Sequence, residues 1–136
     1  MNMLKKRDQK GFTLIEIIAV LVILGILAAV AIPKYLSMAD EARIKAAQGA
    51  IAEVKGRLSS VQAKMMMANN GSAPSAAQIV GNLTTYYGTL SNATNVGTDY
   101  DITDLAAAYP IAIIVTSVQG QPVTGVNGSF YTANGS

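Results

Sequence analysis

The apolar positions of the chain fall into two long patterns that meet at a proline. From Phe12 to Ile32, 21 residues are almost all apolar, and Glu16 is the one charge among them. At ~1.5 Å per residue a helix of that length covers ~31 Å, about the hydrocarbon thickness of a bilayer, so the run predicts a membrane-inserted helix. From Lys34 to Ala68 the period changes. Ile44, Ile51, Leu58 and Met65 recur every seven residues, and Ala47, Val54, Val61 and Ala68 repeat with them, offset by three. This stripe predicts an amphipathic helix whose apolar face packs on the strands of the carboxy-terminal half, with a self-associating coiled coil as the alternative. Gly49 and Gly56 fall opposite the stripe, either as weak points or as sites of close approach by another subunit.

Beyond Ala68 the patterns shorten. Asn69-Asn70-Gly71-Ser72-Ala73-Pro74 is a run of turn formers that ends the helix. Residues 75–98 are polar, with Ile79, Val80, Leu83, Tyr86, Tyr87 and Leu90 as anchors, and predict a short helix or an irregular loop. Ile111–Val118 is the clearest strand, bounded by Pro110 and Gly120. Val123–Val126 and Ser129–Thr132 flank Asn127-Gly128, a two-residue hairpin signal. Ala133–Ser136 reads as a disordered tail. The predicted fold class is α+β: a long N-terminal helix, transmembrane then amphipathic, packed on a small antiparallel β-sheet head.

Two residues interrupt the apolar helix. Gly25 lowers its stability by ~1 kcal/mol relative to Ala. Pro33 cannot donate to the carbonyl of Ala29 and pushes Ile32 away from helical dihedrals. Leu24–Pro33 is therefore expected to be the weakest part of the helix, as a simple bend or as a segment that loses helicity in an assembled state.

Glu16 raises a separate question, because a carboxylate near the centre of a membrane helix costs roughly 2.5–3.5 kcal/mol, and less near an end. It either stays hydrated at the interface or meets a cation. Lys10 is one candidate. If the chain is cut after Gly11, Phe12 carries a free α-ammonium one helical turn from Glu16, in its own chain or on a neighbour. Such a pair in apolar surroundings is directional and would set the axial register of packed helices.

Lys10-Gly11-Phe12-Thr13-Leu14-Ile15-Glu16, the apolar run after it and Pro33 resemble the amino-terminal signature of type IV prepilins and type II secretion pseudopilins. The resemblance covers about residues 5–45. It implies cleavage after Gly11 by a membrane-embedded prepilin peptidase, N-methylation of Phe12, and Glu16 guiding subunits into a helical filament. Gly25 and Pro33 also stand where pilins of this group commonly carry them. The implied organisation is a leader at 1–11, a transmembrane and assembly helix at 12–33, an amphipathic helix at 34–68 and a small β-rich head, the pilin fold, at 69–136. A signal-peptidase site at Ala28-Ala29-Val30-Ala31 is the competing reading of the same segment.

Charge changes the picture in one respect. The first 11 residues hold Lys5, Lys6, Arg7 and Lys10 against Asp8, and the positive-inside rule keeps them cytoplasmic while the chain beyond Pro33 is exported. Their removal turns a formal net charge of +2 into −1. All six remaining cations (Lys34, Arg43, Lys45, Lys55, Arg57, Lys64) precede Met65, and residues 65–136 carry only Asp99, Asp101 and Asp104. A head without cations does not suit nucleic acid. With no His and no Cys, imidazole metal sites, a Ser-His-Asp triad and a disulfide framework are excluded.

Asp99-Tyr100-Asp101-Ile102-Thr103-Asp104 is the one acidic cluster. It reads first as a solvated loop capping a short helix at Leu105–Tyr109. Asp99, Asp101 and Asp104 as a calcium site is the weaker alternative, supported by the calcium site that major secretion pseudopilins carry late in the chain. Asn-x-Ser/Thr triplets begin at Asn70, Asn82, Asn92, Asn127 and Asn134, and turn composition explains them better than glycans. No cofactor is expected and the chain does not read as an enzyme.

The expected function is therefore a structural subunit of a type IV pilus. The chain would rest in the inner membrane and its lipid as a single-pass precursor, and then assemble into an extracellular homo-oligomeric filament with the help of a prepilin peptidase, an inner-membrane platform and an ATPase. The alternatives are a type II secretion pseudopilus subunit, or a single-span membrane-anchored binding module. The last third lacks the Trp- and Pro-containing segment of major secretion pseudopilins, which favours the pilus. It also lacks the two Cys with which many pilins close a carboxy-terminal loop.

Overall fold

The computed structural model describes residues 11–88 and 96–135, apart from the side chains of Thr103 and Asp104. Residues 1–10 of the expected leader, Leu90 and the triplet at Asn92 lie outside the described residues. The elements in chain order are helix α1 (Leu14–Ala68), helix α2 (Ala76–Tyr87), and strands β1 (Tyr100–Leu105), β2 (Ile111–Val118), β3 (Gln121–Pro122) and β4 (Asn127–Phe130). The chain divides into two compact units, Met1–Ala39 and Asp40–Ser136. The architecture is α+β and consistent with the pilin fold.

In the first unit α1 is helical from Leu14 onward and passes through both Gly25 and Pro33 without a break. Ile32 keeps its helical state, contrary to the expectation that Pro33 would push it out. One lost donor does not end a helix whose other backbone bonds are intact on both sides. The apolar side chains here stay uncovered by the chain itself: Leu21 is 62% exposed and Ile26 64%. A surface of this extent is stable in lipid or against other chains, and not in water.

The second unit has one core. Ala47, Ile51, Val54, Leu58, Val61 and Met65 of α1 meet Ile79, Val80 and Leu83 of α2 and Ile111, Ile113 and Val115 of β2. The seven-residue stripe thus packs on its own domain. Its end members Ile44 and Ala68 are exposed, while Ala50 is buried beside it. The helix stops in an αL turn: Asn70 has φ 52°, Gly71 has φ 89°, and the Gly71 N–H donates to the Met66 carbonyl at 2.8 Å. Residues 76–87 resolve the helix-or-loop alternative as α2. Ser75 caps it, its hydroxyl accepting from Gln78 N–H while the Gln78 side chain accepts from Ser75 N–H at 2.9 Å. On the outer side Arg57 lies over the Tyr87 ring at 5.5 Å and Lys64 over Tyr86 at 4.5 Å, tying α2 to α1.

The sheet is antiparallel around β2. β1 pairs along one edge, and β3 and β4 pair with the two ends of the other. Three expectations are corrected here. Asn127-Gly128 is not a hairpin turn but the start of β4, with Gly128 opposite Ile113. The two-residue hairpin turn is Gln119-Gly120, both at positive φ (54° and 70°), joining β2 to β3. Glycine is needed at 128 for another reason: a Cβ there would run into Ile51 Cγ2 and come within 3.3 Å of Lys55 Cε. The short helix expected at Leu105–Tyr109 is absent, because Tyr100–Leu105 is strand β1 and Leu105 is buried in the core. The carboxy-terminal residues described are not a free tail either. Thr132 is buried, Gly135 N–H donates to the Thr132 carbonyl at 3.2 Å, and Asn134 Nδ2 donates to the Ala73 carbonyl at 3.3 Å.

Candidate assembly site

The polar group of the apolar segment is built at the first turn of α1. Thr13 precedes the helix, and its backbone N–H and hydroxyl both donate to Glu16 Oε2, at 2.7 and 2.8 Å. In return the Thr13 hydroxyl oxygen accepts from Glu16 N–H at 3.3 Å. This is a reciprocal capping box, Thr-x-x-Glu, which satisfies N–H groups that a helix start leaves unpaired. Weighing Glu16 by its charge alone misses the cap, although a Thr three positions before a Glu is the signal that identifies one.

The geometry leaves Glu16 half used. Both bonds from Thr13 go to Oε2, and Oε1 takes no hydrogen bond from the described residues. Among those residues Glu16 makes no ion pair. Lys10, one candidate counter-ion, lies outside them. Gly11 and Phe12 precede the helix and are exposed, with Phe12 at 85%. An exposed, non-helical backbone just before a helix is the kind of segment a protease can bind. Gly25 has open space around it, with nothing within 4 Å of an added Cβ. Pro33 lies inside the same helix.

These features are matched outside this chain. Residues 6–32 fit the family model of the prokaryotic N-terminal methylation motif. The amino terminus of the chain is similar to those of pilins and pseudopilins. The chain is 47% identical over 55 residues to the type II secretion system core protein G of Pseudomonas aeruginosa, covering 40% of this chain and 39% of that one. It is 42% identical over 57 residues to the type IV narrow pilus major component PilA5 of Thermus thermophilus, covering 40% and 49%. The match to fimbrial protein EcpC of Eikenella corrodens is 37% over 78 residues, covering 56% and 51%. The chain thus spans between two fifths and about half of the length of these curated relatives. No solved structure matches significantly.

Of the acidic cluster, the structure describes the side chains of Asp99 and Asp101. Asp101 lies on β1 with its Oδ2 accepting from the Ser117 hydroxyl at 2.6 Å, and the Asp99 carbonyl accepts from Gln119 N–H at 2.6 Å. The side chain of Asp104 lies outside the described residues. Among those residues, no three His, Cys, Asp or Glu come together as ligands.

Proposed function

We propose that the chain is a structural subunit of a type IV pilus, made as an inner-membrane precursor, cut after Gly11 and assembled through its apolar helix. The observation that carries this reading is a single carboxylate, Glu16, in an apolar helix within a segment that matches the methylation motif. After cleavage the Phe12 α-ammonium of a neighbour would meet Glu16 Oε1, the oxygen that the Thr13 cap leaves open. The pairing is worth most where lipid or packed helices exclude water, and it gives the apolar helices a defined stagger that hydrophobic burial alone does not. Gly25 and Pro33 would give the segment that must stretch in the fibre, the part with the weakest backbone bonding. A prepilin peptidase, a platform protein and an ATPase are the partners this route requires, and the product is a homo-oligomeric filament outside the cell.

The match to a type II secretion core protein G supports the second reading, a pseudopilus subunit assembled by the same route. Mass spectrometry of the mature amino terminus tests the common part: an N-methylated Phe12 supports it, and an intact Met1 or a cut near Ala31 refutes it. Identifying the dominant polypeptide of sheared surface fibres then separates pilus from pseudopilus. Glu16→Ala is expected to insert in the membrane and yield no ordered fibres, and normal fibres from it would remove Glu16 from the assembly mechanism.

A further inference from the structure

Among the described residues of the first unit only Glu16 and Lys34 are charged. Eighteen residues of unbroken helix separate them, which is five full turns, so the two lie on one line along α1, ~27 Å apart. That spacing is close to the ~30 Å thickness of a bilayer's hydrocarbon core. Every residue between them is uncharged and apolar or small, so one charge can stand at each face of the hydrocarbon and neither has to enter it.

Lys34 has no counter-ion among the described residues. Its side chain is exposed and makes no hydrogen bond or ion pair there. Glu16, the one carboxylate described in the unit, lies at the far end and is capped by Thr13. The next acids along the chain, Asp40 and Glu41, are six and seven residues on, beyond the three- and four-residue reach of helix pairs. Asp40 is in addition paired with Arg43 at 2.7 Å. Beside Lys34 stand Tyr35, 74% exposed, and the exposed Leu36 and Met38, so the apolar surface continues past the lysine. An ammonium on a long apolar stem beside a tyrosine, at the end of a membrane-length run, fits a headgroup layer. The stem stays among acyl chains, the ammonium meets phosphate, and the phenol hydroxyl stays wet.

We propose that Lys34 and Tyr35 form a binding site for phospholipid phosphate in the exported leaflet, and that this site fixes how deep the precursor sits in the membrane. At that depth Glu16 is level with the cytoplasmic headgroups and hydrated, and it loses its water only when helices pack together. Without the Lys34 charge the uncharged run extends from Ile17 to Ala39. Nothing in it then stops the helix from sinking toward the cytoplasm by as much as six residues, ~9 Å. The site rests on the membrane-precursor part of the reading above and gives that precursor its lipid contact.

The test uses the full-length chain reconstituted in lipid vesicles. The sequence has no Trp, so Tyr35→Trp keeps an interfacial aromatic and supplies a single fluorophore, whose quenching by acyl chains brominated at different carbons reads its depth. In vesicles of phosphatidylethanolamine and phosphatidylglycerol, bromines next to the headgroup are expected to quench it most. Adding Lys34→Leu should raise quenching by the deepest bromines about fivefold, and adding Lys34→Arg should leave it unchanged. In vesicles of digalactosyl diacylglycerol, a bilayer lipid without phosphate, the Lys34→Leu effect should fall below about twofold. The same depth with and without the Lys34 charge, or an equal effect in both lipids, overturns the phosphate site and leaves the membrane reading standing. Glu16→Gln moving the fluorophore deeper, as Lys34→Leu does, also overturns it, because the acid of a second copy would then be the partner of the lysine. Absence of quenching by every bromine position means that the chain has not entered the bilayer, which removes the membrane reading and this site with it.

Discussion

Gly128 lies against Ile51 so closely that the space a β-carbon would occupy is already filled by Ile51 Cγ2. The contact brings β4 onto α1, and Ile51 is itself buried in the core. Gly128→Ala is expected to destabilise the folded unit by about 1–3 kcal/mol, the range for overpacking a close-packed core. Thermal unfolding of the full chain in detergent checks this. Removing Cγ2 with Ile51→Ala should make the double variant less unstable than the two single costs added together, and strict additivity would show that the clash is relieved elsewhere.

Leu58 is fully buried at the centre of the face that α1 presents to α2 and the sheet. Leu58→Ala should cost about 2–5 kcal/mol, through lost burial and the cavity left behind. Met67, on the same helix but 78% exposed, is the control: Met67→Ala is expected to stay within about 0.5 kcal/mol. Equal effects at the two positions would contradict the assignment of the core face.

Thr13 and Glu16 separate capping from charge. Thr13→Val removes the hydroxyl that donates to Oε2 and accepts from Glu16 N–H, and leaves the carboxylate in place. A lost cap lowers helix stability by about 0.5–2 kcal/mol. Membrane insertion of Thr13→Val should be normal and fibre yield reduced but measurable, against none for Glu16→Ala. Fibre yields that fall equally in both variants would mean that the cap, and not the open oxygen, is what assembly needs.

Ser75→Ala removes one half of the capping box of α2 and is expected to cost about 1 kcal/mol in thermal unfolding. Ser75→Asp, which keeps an acceptor at the helix start, should recover most of it. An unchanged melting temperature in Ser75→Ala would show that core contacts of Ile79 and Leu83 alone fix the helix.

Calcium is expected to leave the melting temperature of the chain unchanged. Asp101 already accepts from Ser117, and β1 holds this stretch as a strand rather than as a loop that wraps an ion. A calcium-dependent rise that is lost in Asp101→Asn would reinstate the metal site.

What could be read from the sequence depended on the range of the interactions involved. The apolar run from Phe12 to Ile32, the seven-residue stripe from Ala47 to Met65 and the strand Ile111–Val118 are each set by neighbours within a few turns or residues, and each stands in the structure as expected. The lone charge of Glu16 is equally legible, and its local cap by Thr13 is written in the same four residues. The assignments that failed share a different character. Asn127-Gly128 carries a hairpin signal, yet its glycine is there because Ile51, more than seventy positions earlier, occupies the space beside it. The acidic stretch has the composition of a loop, yet its backbone is recruited into β1 by pairing with β2. Local chemistry decides which segments are helical or extended and which face is apolar. Which strand lies beside which and where two elements must touch are decided only when distant segments close on one core, because those contacts have no counterpart in any short window of the chain.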